Sequence, residues 1–296
     1  MSSSLERGID TVVVPLAGIG TRMWPFTAGE PKFMAGVSAG SDFKPNIDFT
    51  LDDLVAADIK HAVFVVSGNG GEVLRNYLGP MPKHLVEQAR ALGKEAYLEK
   101  EAARRDALND MTIEFIEQGV GIYGTAVPLN LARTALQGVE HFAMAGGDDF
   151  IWHPDGKSEF AQQIENWRGS RAGNSLMGKP VPREDAPKYG IIDQDEQANL
   201  VRIVEKPPIE QVPSHPLANI SRYLLSSAIW PYLDEVLAQP PTVEKPEYYI
   251  TDVINMAVED GQGFNVHPVE GHYFDAGSPQ GILQAGQFIS AHLLKG

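Results

Sequence analysis

The stretch Thr11–Pro25, T-V-V-V-P-L-A-G-I-G-T-R-M-W-P, constrains the fold more than any other part of the chain. Val12, Val13 and Val14 form a β-branched apolar run, which predicts a strand buried on both faces. The run breaks at once into Ala17-Gly18-Ile19-Gly20-Thr21-Arg22. Small residues there let backbone N–H groups approach a ligand with no Cβ in the way. Arg22 offers a planar donor fork suited to phosphate, and Lys32, just after Pro31, offers a second cation. The expectation is an α/β sheet whose first strand ends in a polyphosphate site made by Ala17, Gly18, Gly20, Thr21, Arg22 and Lys32. Two other glycine-turn chemistries fit less well. A dinucleotide-binding turn wants a third glycine three residues after Gly20, where Met23 stands. A P-loop wants a Gly-Lys-Ser/Thr sequence, which does not follow.

A chain of 296 residues can bury one large α/β core or two small ones. The formal charge is −15 and there is no basic tail or Lys/Arg-rich patch, which argues against nucleic acid as a partner. An anionic substrate must therefore be drawn in by local cations or by a metal. The chain has no cysteine, which excludes disulfides, a thiolate nucleophile and a zinc–thiolate site and fits a cytoplasmic protein. The opening M-S-S-S-L-E-R-G lacks the apolar core of a signal peptide. No apolar run approaches membrane-spanning length, so no membrane partner is expected.

In order, Ala35–Asp42 is rich in Gly and Ser and predicts a mobile loop. Lys44-Pro45 opens a helical segment with Leu51, Leu54 and Val55 at helical spacing. His61–Ser67, H-A-V-F-V-V-S, is a second buried strand, followed by a glycine-rich turn and a helix over Glu72–Leu78. This β–loop–α rhythm belongs to a parallel sheet with right-handed crossovers. Lys83–Leu108 reads as a polar, mostly helical segment with a solvated charged face. Thr112–Gln118 alternates like a strand and runs into the glycine-rich Gly119–Val127. His141–Phe150 is an apolar strand that ends in Asp148 and Asp149. A carboxylate at the C-terminal end of a parallel strand faces the usual ligand crevice. Mg²⁺ takes one or two such carboxylates plus substrate phosphates. Asp148 and Asp149 are both candidates for that role.

Phe160–Trp167 is helical, Gly178–Pro187 is a Pro-rich polar loop, and Lys188–Asp193 starts a hairpin that returns through Leu200–Pro207. Leu217–Tyr232 reads as a strand leading to a helix, with Ser226 or Ser227 as its N-cap. Thr251-Asp252 starts another helix. Gly271–Gly277, G-H-Y-F-D-A-G, reads as a strand end carrying Asp275. The last segment, Gln280–Leu294, is a helix that turns Ile282, Leu283, Phe288 and Ile289 to the core. The eight histidines show no H-x-x-x-H spacing and read as structural or surface groups.

The ordered islands G-x-G-T-R, P-K, K-P, Q-G, D, Y-G, E-K-P, T-D and D-x-G, between about Val12 and Ala285, resemble those of the sugar-1-phosphate nucleotidyltransferases. The letters V-P-L-A-G-I-G-T-R-M-x-P-x-T look most like the bacterial UTP–glucose-1-phosphate uridylyltransferase branch. The resemblance implies a single Rossmann-like, three-layer α/β domain over residues 9–296. It has a central mixed, mostly parallel sheet and a small β-rich sugar-binding insertion. Residues 9–150 would bind the nucleotide, and 151–296 would supply the sugar-phosphate side and the C-terminal helices. Gln118 would read the uracil edge, beside the turn glycine Gly124. The Gly190 backbone and Glu205 would hold sugar hydroxyls, and Lys206 the sugar phosphate. Asp148 and Asp275 would share Mg²⁺. The sequence departs from the family pattern at Phe33, Gly147, Asp149 and Ser221.

The reaction so implied is in-line attack of a sugar 1-phosphate on the α-phosphorus of UTP, with pyrophosphate leaving. Arg22 would hold the departing phosphates, Lys32 the α-phosphoryl charge and Lys206 the attacking phosphate. The family further suggests a homodimer or homotetramer. Two alternatives stay open: another nucleotide such as dTTP or another hexose 1-phosphate, and a non-catalytic nucleotide-sugar-binding paralogue.

Overall fold

The computed structural model describes residues 8–121, 123–243 and 245–294. The polar opening stretch read for a signal peptide lies, up to residue 7, outside the described residues, as do residues 122, 244 and 295–296.

The valine run forms β1 (Thr11–Pro15) at the centre of the sheet. A two-stranded hairpin follows, β2 (Gly36–Ala39) and β3 (Asp42–Pro45), and then α1 (Asn46–Ala56). β4 (His61–Val66) and α2 (Gly70–Leu78) repeat the strand–turn–helix unit. Two polar helices, α3 (Lys83–Ala91) and α4 (Glu95–Asp106), lead to β5 (Thr112–Glu117). The short α5 (Val127–Leu131) precedes β6 (His141–Ala145) and β7 (Phe150–Trp152). The second half adds α6 (Glu159–Gly169), β8 (Asn174–Pro180), β9 (Gly190–Gln194), β10 (Leu200–Glu205) and β11 (Leu217–Ser226). It closes with α7 (Trp230–Ala238), α8 (Ile250–Glu259), β12 (Phe264–Pro268), β13 (His272–Phe274) and α9 (Pro279–Leu293).

The central sheet is mixed, with the order β10-β9-β11-β6-β1-β4-β5, and β8 joins β11 to β12. β1 is parallel to β4 and β6, and β4 to β5. The sheet turns antiparallel at β11, which pairs with β6 through its second half and with β9 through its first. β9 and β10 form an antiparallel β-rich edge. A register shift between Asn219 and Tyr223 bends β11 where it passes from one neighbour to the other.

The alternation of β1 explains the three layers. Val12 and Val14 pack on one face with Leu51 and Leu54 of α1, Leu74 of α2 and Phe160, Ile164 and Trp167 of α6. Val13 packs on the other with Leu129 of α5, Leu233 of α7 and Val253 and Ile254 of α8. Successive strand side chains point to opposite faces, so a strand covered on both sides reads as unbroken valine. Burying each such side chain contributes roughly 1.5–3 kcal/mol.

Some elements differ from the sequence expectation. The Gly/Ser-rich segment is the β2–β3 hairpin, closed by Gly40 at φ +67°. Its Val37 is buried with Ala285 and Ile289 of α9, so tertiary packing orders residues that look loop-like in isolation. Gly178-Lys179-Pro180 ends β8, and only the residues after it form a loop with a short 3-10 turn, Arg183–Lys188. The long polar segment is two helices, broken where Gly93 takes φ +65°. Leu283 of α9 is exposed rather than core-facing, and Ala285, Gly286 and Ile289 cover the core instead. Ser226 caps a 3-10 turn rather than α7, without a side-chain bond. Among the described residues no helix is long and apolar enough to cross a membrane.

Candidate active site

A cleft of about 490 Å³ opens where β1 and β6 end, and Ala17, Gly18, Lys32, Gln118, Gly124 and Asp148 all line it. The C-terminal ends of neighbouring parallel strands are where α/β sheets place ligands. The loop after β1 is held from beneath. The Ser67 hydroxyl donates to the Ala17 carbonyl at 2.8 Å, and the Thr27 hydroxyl donates to the Gly20 carbonyl at 2.8 Å. Gly20 sits at φ +64°, and a Cβ there would lie 2.9 Å from the Thr27 methyl, so only glycine suits the turn. A Cβ on Gly18 would lie 3.0 Å from Lys32 Nζ, so the ammonium lies directly over the glycine turn. Thr21 and Arg22 open a single 3-10 turn beyond it.

Gln118 extends β5 by one residue, its N–H donating to the Val66 carbonyl at 2.7 Å, and its side chain is buried against the cleft. Gly124 has φ +121°, and a Cβ there would lie 2.2 Å from the Tyr248 carbonyl oxygen. That close approach brings Glu247 and Tyr123 to the cleft wall, two lining residues that the sequence reading did not single out.

Cations and carboxylates alternate beside Lys32 and Asp148, at the edge of the cleft. Lys32 pairs with Asp148, and Arg22 Nη1 lies 3.1 Å from Asp275 Oδ2. The two pairs meet at Gly277: a Cβ there would lie 2.8 Å from Asp148 Oδ2, 3.1 Å from Arg22 Nη2 and 3.2 Å from Asp275 Oδ1. The Gly277 N–H donates to Asp275 Oδ1 at 3.1 Å. Two carboxylates converging on one glycine form a hard-oxygen donor pair suited to a divalent cation, which would complete its shell with phosphate oxygens and water. Among the described residues no cluster of three or more acidic, His or Cys side chains forms a protein-only metal cage.

The neighbouring Asp149 is engaged elsewhere. It is buried, with Arg222 Nη1 donating to its Oδ1 at 2.7 Å and the Tyr273 hydroxyl donating to its Oδ2 at 3.0 Å. Burial pushes its carboxyl up, Arg222 pulls it back, and Asp148 adds a further push. The sequence signalled only that some acid must be buried, since Arg222 sits inside the apolar run of β11 and a buried guanidinium needs one; it did not say which. Gly147 is explained by space, since a Cβ there would lie 2.2 Å from Leu16 Cδ2. Phe33 is buried in the core beside Gly70.

Gly190, Glu205 and Lys206 form a second group outside the wall of that cleft. A Cβ on Gly190 would lie 2.9 Å from Glu205 Oε1, so the glycine and the carboxylate face one another across β9 and β10. The Thr251 hydroxyl donates to Glu205 Oε1 at 2.9 Å and orients it. Lys206 takes φ +46°, a conformation that costs a non-glycine residue about 1–3 kcal/mol and tends to occur at functional sites. Its N–H donates to the Tyr189 carbonyl at 2.9 Å, which secures the turn, and the side chain is exposed. Lys179 of β8 is a further cation that the sequence reading passed over. Its Nζ lies 4.7 Å from the centre of the Tyr273 ring, and burial pushes its ammonium down against the pull of Asp185 and Asp275.

The nucleotidyl transferase family description matches residues 12–292, nearly the whole chain. The chain belongs to the nucleotidyl transferase family. Among relatives of that family, the UTP–glucose-1-phosphate uridylyltransferase of Haemophilus ducreyi is 32% identical over 286 residues, 93% of this chain and 90% of that protein. A solved apo UDP-glucose pyrophosphorylase superposes with a TM-score of 0.82 at 25% identity, covering 97% of this chain and 99% of that one. A UDP-glucose pyrophosphorylase complexed with UDP-glucose gives 0.78 at 24% identity, covering 98% and 100%. The nucleotidyl transferase fold therefore extends over both halves of the chain, including the β9–β10 edge.

Proposed function

We propose that this chain transfers the uridylyl group of UTP to glucose 1-phosphate, releasing pyrophosphate and forming UDP-glucose. The observation that carries the reading is the meeting of the Lys32–Asp148 and Arg22–Asp275 pairs at Gly277, beside a cleft that also holds Gln118. It is supported by family membership and by the activity in the name of the Haemophilus ducreyi relative.

Residues 9–150 serve the nucleotide, and residues 151–296 serve the sugar phosphate. The N–H groups of the Ala17–Thr21 turn and Arg22 hold the β- and γ-phosphates. Lys32 leaves Asp148 for the α-phosphoryl group, whose charge grows in the transition state. The Gln118 amide offers a donor and an acceptor to the uracil imide, and Gly124 leaves the space beside it. Gly190 and Glu205 take sugar hydroxyls, and Lys206 aims the attacking phosphate oxygen. That oxygen is already ionised, so the new P–O bond forms with no general base, as the bond to pyrophosphate breaks. Asp148 and Asp275 would hold Mg²⁺, which would supply neutralisation of the substrate phosphate charge. A cytoplasmic location and assembly into dimers or tetramers complete the reading; sedimentation would measure the second.

The test is pyrophosphate release with Mg²⁺ and glucose 1-phosphate across UTP, dTTP, ATP, CTP and GTP. A kcat/KM for UTP at least about tenfold above the others is expected, about 1.4 kcal/mol of discrimination. A better rate with dTTP would overturn the base assignment. No turnover with any nucleotide or hexose 1-phosphate, with UDP-glucose still bound, would overturn the catalytic one.

A further inference from the structure

Asp148 and Asp275 sit at the ends of two segments far apart in sequence, after β6 and after β13. The ribbon that carries Asp275 has only three pairs, His272–Trp152, Tyr273–Ile151 and Phe274–Phe150. Such a short two-stranded ribbon is marginal by itself. One side-chain bond ties the two segments at the level of the carboxylates. Asp149 directly follows Asp148, Tyr273 stands two residues before Asp275, and the Tyr273 hydroxyl donates to Asp149 Oδ2 at 3.0 Å.

The anchor is rigid. Arg222 donates to Asp149 Oδ1 at 2.7 Å, to the Asp149 carbonyl at 2.9 Å and to the Ser221 carbonyl at 3.0 Å. Asp149 is 6% exposed and Arg222 is 2% exposed, so water does not compete for these bonds. Both Asp149 oxygens are occupied by protein donors, which leaves the carboxylate to hold the turn rather than a ligand.

We propose that Tyr273 is a positioning residue: its hydroxyl, anchored on Asp149 and Arg222, sets the spacing of Asp148 and Asp275 and so the affinity of this site for a divalent cation. The inference rests on the reading that Asp148 and Asp275 take that cation. Residues that orient metal ligands change affinity by about 10–100-fold when removed, although they never touch the ion.

The test is Tyr273→Phe in the full chain, which removes one oxygen and keeps the ring. The probe is Mn²⁺ alone, titrated against the protein by electron paramagnetic resonance, with Asp148→Asn beside it. Tyr273→Phe should raise the Mn²⁺ Kd by about tenfold. In assays it should raise the Mg²⁺ concentration for half-maximal rate by a similar factor, with kcat at saturating Mg²⁺ within about threefold of wild type. UDP-glucose binding in chelator should stay within about twofold of wild type, because with the cation removed the spacing of its two ligands no longer matters. A structural role alone would lower Tm and leave the Mn²⁺ Kd unmoved. If Asp148→Asn loses Mn²⁺ and Tyr273→Phe keeps wild-type affinity, the positioning inference fails alone. If Asp148→Asn also binds Mn²⁺ like wild type, the metal reading beneath it fails.

Discussion

At the scale of single residues, charge and space make different demands. In the proposed reaction Lys32 acts through its charge. Two unit charges about 4 Å apart interact by about 4 kcal/mol at an effective dielectric near 20, which is on the order of 10³ in rate. Lys32→Ala should therefore lose kcat by about that factor. Its Tm should stay within about 3 °C of wild type, because the side chain is one partner of a partly exposed pair. Steady-state kinetics and a thermal melt check both, and wild-type turnover would remove Lys32 from the mechanism. Gly147 is needed for space. A methyl there would press within 2.2 Å of Leu16 Cδ2, a buried side chain just before the Ala17–Thr21 turn. Gly147→Ala should cost about 1–3 kcal/mol by denaturant unfolding, and Leu16→Ala in the same chain should cost less than additively, since it vacates the clash. Strict additivity would place the cost elsewhere.

At the scale of elements, the first turn of α6 supports the strand that carries Asp275. Glu159 accepts from His267 Nε2 and His153 Nε2 at 2.8 Å each, and from the backbone N–H groups of Glu270 at 3.1 Å and Gly271 at 2.8 Å. Burial raises its pKa, yet the four donors outweigh that and hold it down at about 2, against an ordinary 4.5. A carboxyl depressed on folding contributes stability above its unfolded pKa and loses it as pH falls towards the folded value. The contribution, on the order of 3 kcal/mol, is thus complete above about pH 5 and fades between about pH 4.5 and 2. Glu159→Gln should be destabilised by that order at pH 7, and its deficit relative to wild type should shrink as pH falls through this window. Urea midpoints measured from pH 7 to 3 would show it, and a deficit that does not change with pH would refute the electrostatic account.

At the scale of the whole molecule, the proposed division near residue 150 does not divide the sheet. β6 of the first part pairs through five residues with β11 of the second, from Ala145–Arg222 to His141–Ser226. Both core layers also draw on both parts, as with Val12 beside Trp167 and Val13 beside Val253. Urea unfolding should therefore be a single transition, with tryptophan fluorescence and far-UV circular dichroism coincident; two separated transitions would mean the parts fold independently. The net charge of −15 works at this scale too. In the proposed reaction, substrate anions would meet a repulsive far field and would have to be held locally by Arg22 and Lys32.

The amino-acid sequence alone determined whatever depends on near neighbours. Unbroken valine marks a strand covered on both sides, Gly18 and Gly20 mark a tight turn with no Cβ to spare, and the order of Arg22, Lys32, Glu205 and Lys206 marks the family. The β2–β3 hairpin was not legible, because its order comes from α9, more than two hundred residues later. Only the tertiary structure decided how the two adjacent acids are partnered. Asp148 and Asp149 differ in nothing local, and the choice is made by Arg222, 73 residues on, and Tyr273, 124 residues on, which the fold brings to Asp149. A buried guanidinium must be paired, so it takes one acid into the core and leaves the other, with Lys32, to the cleft.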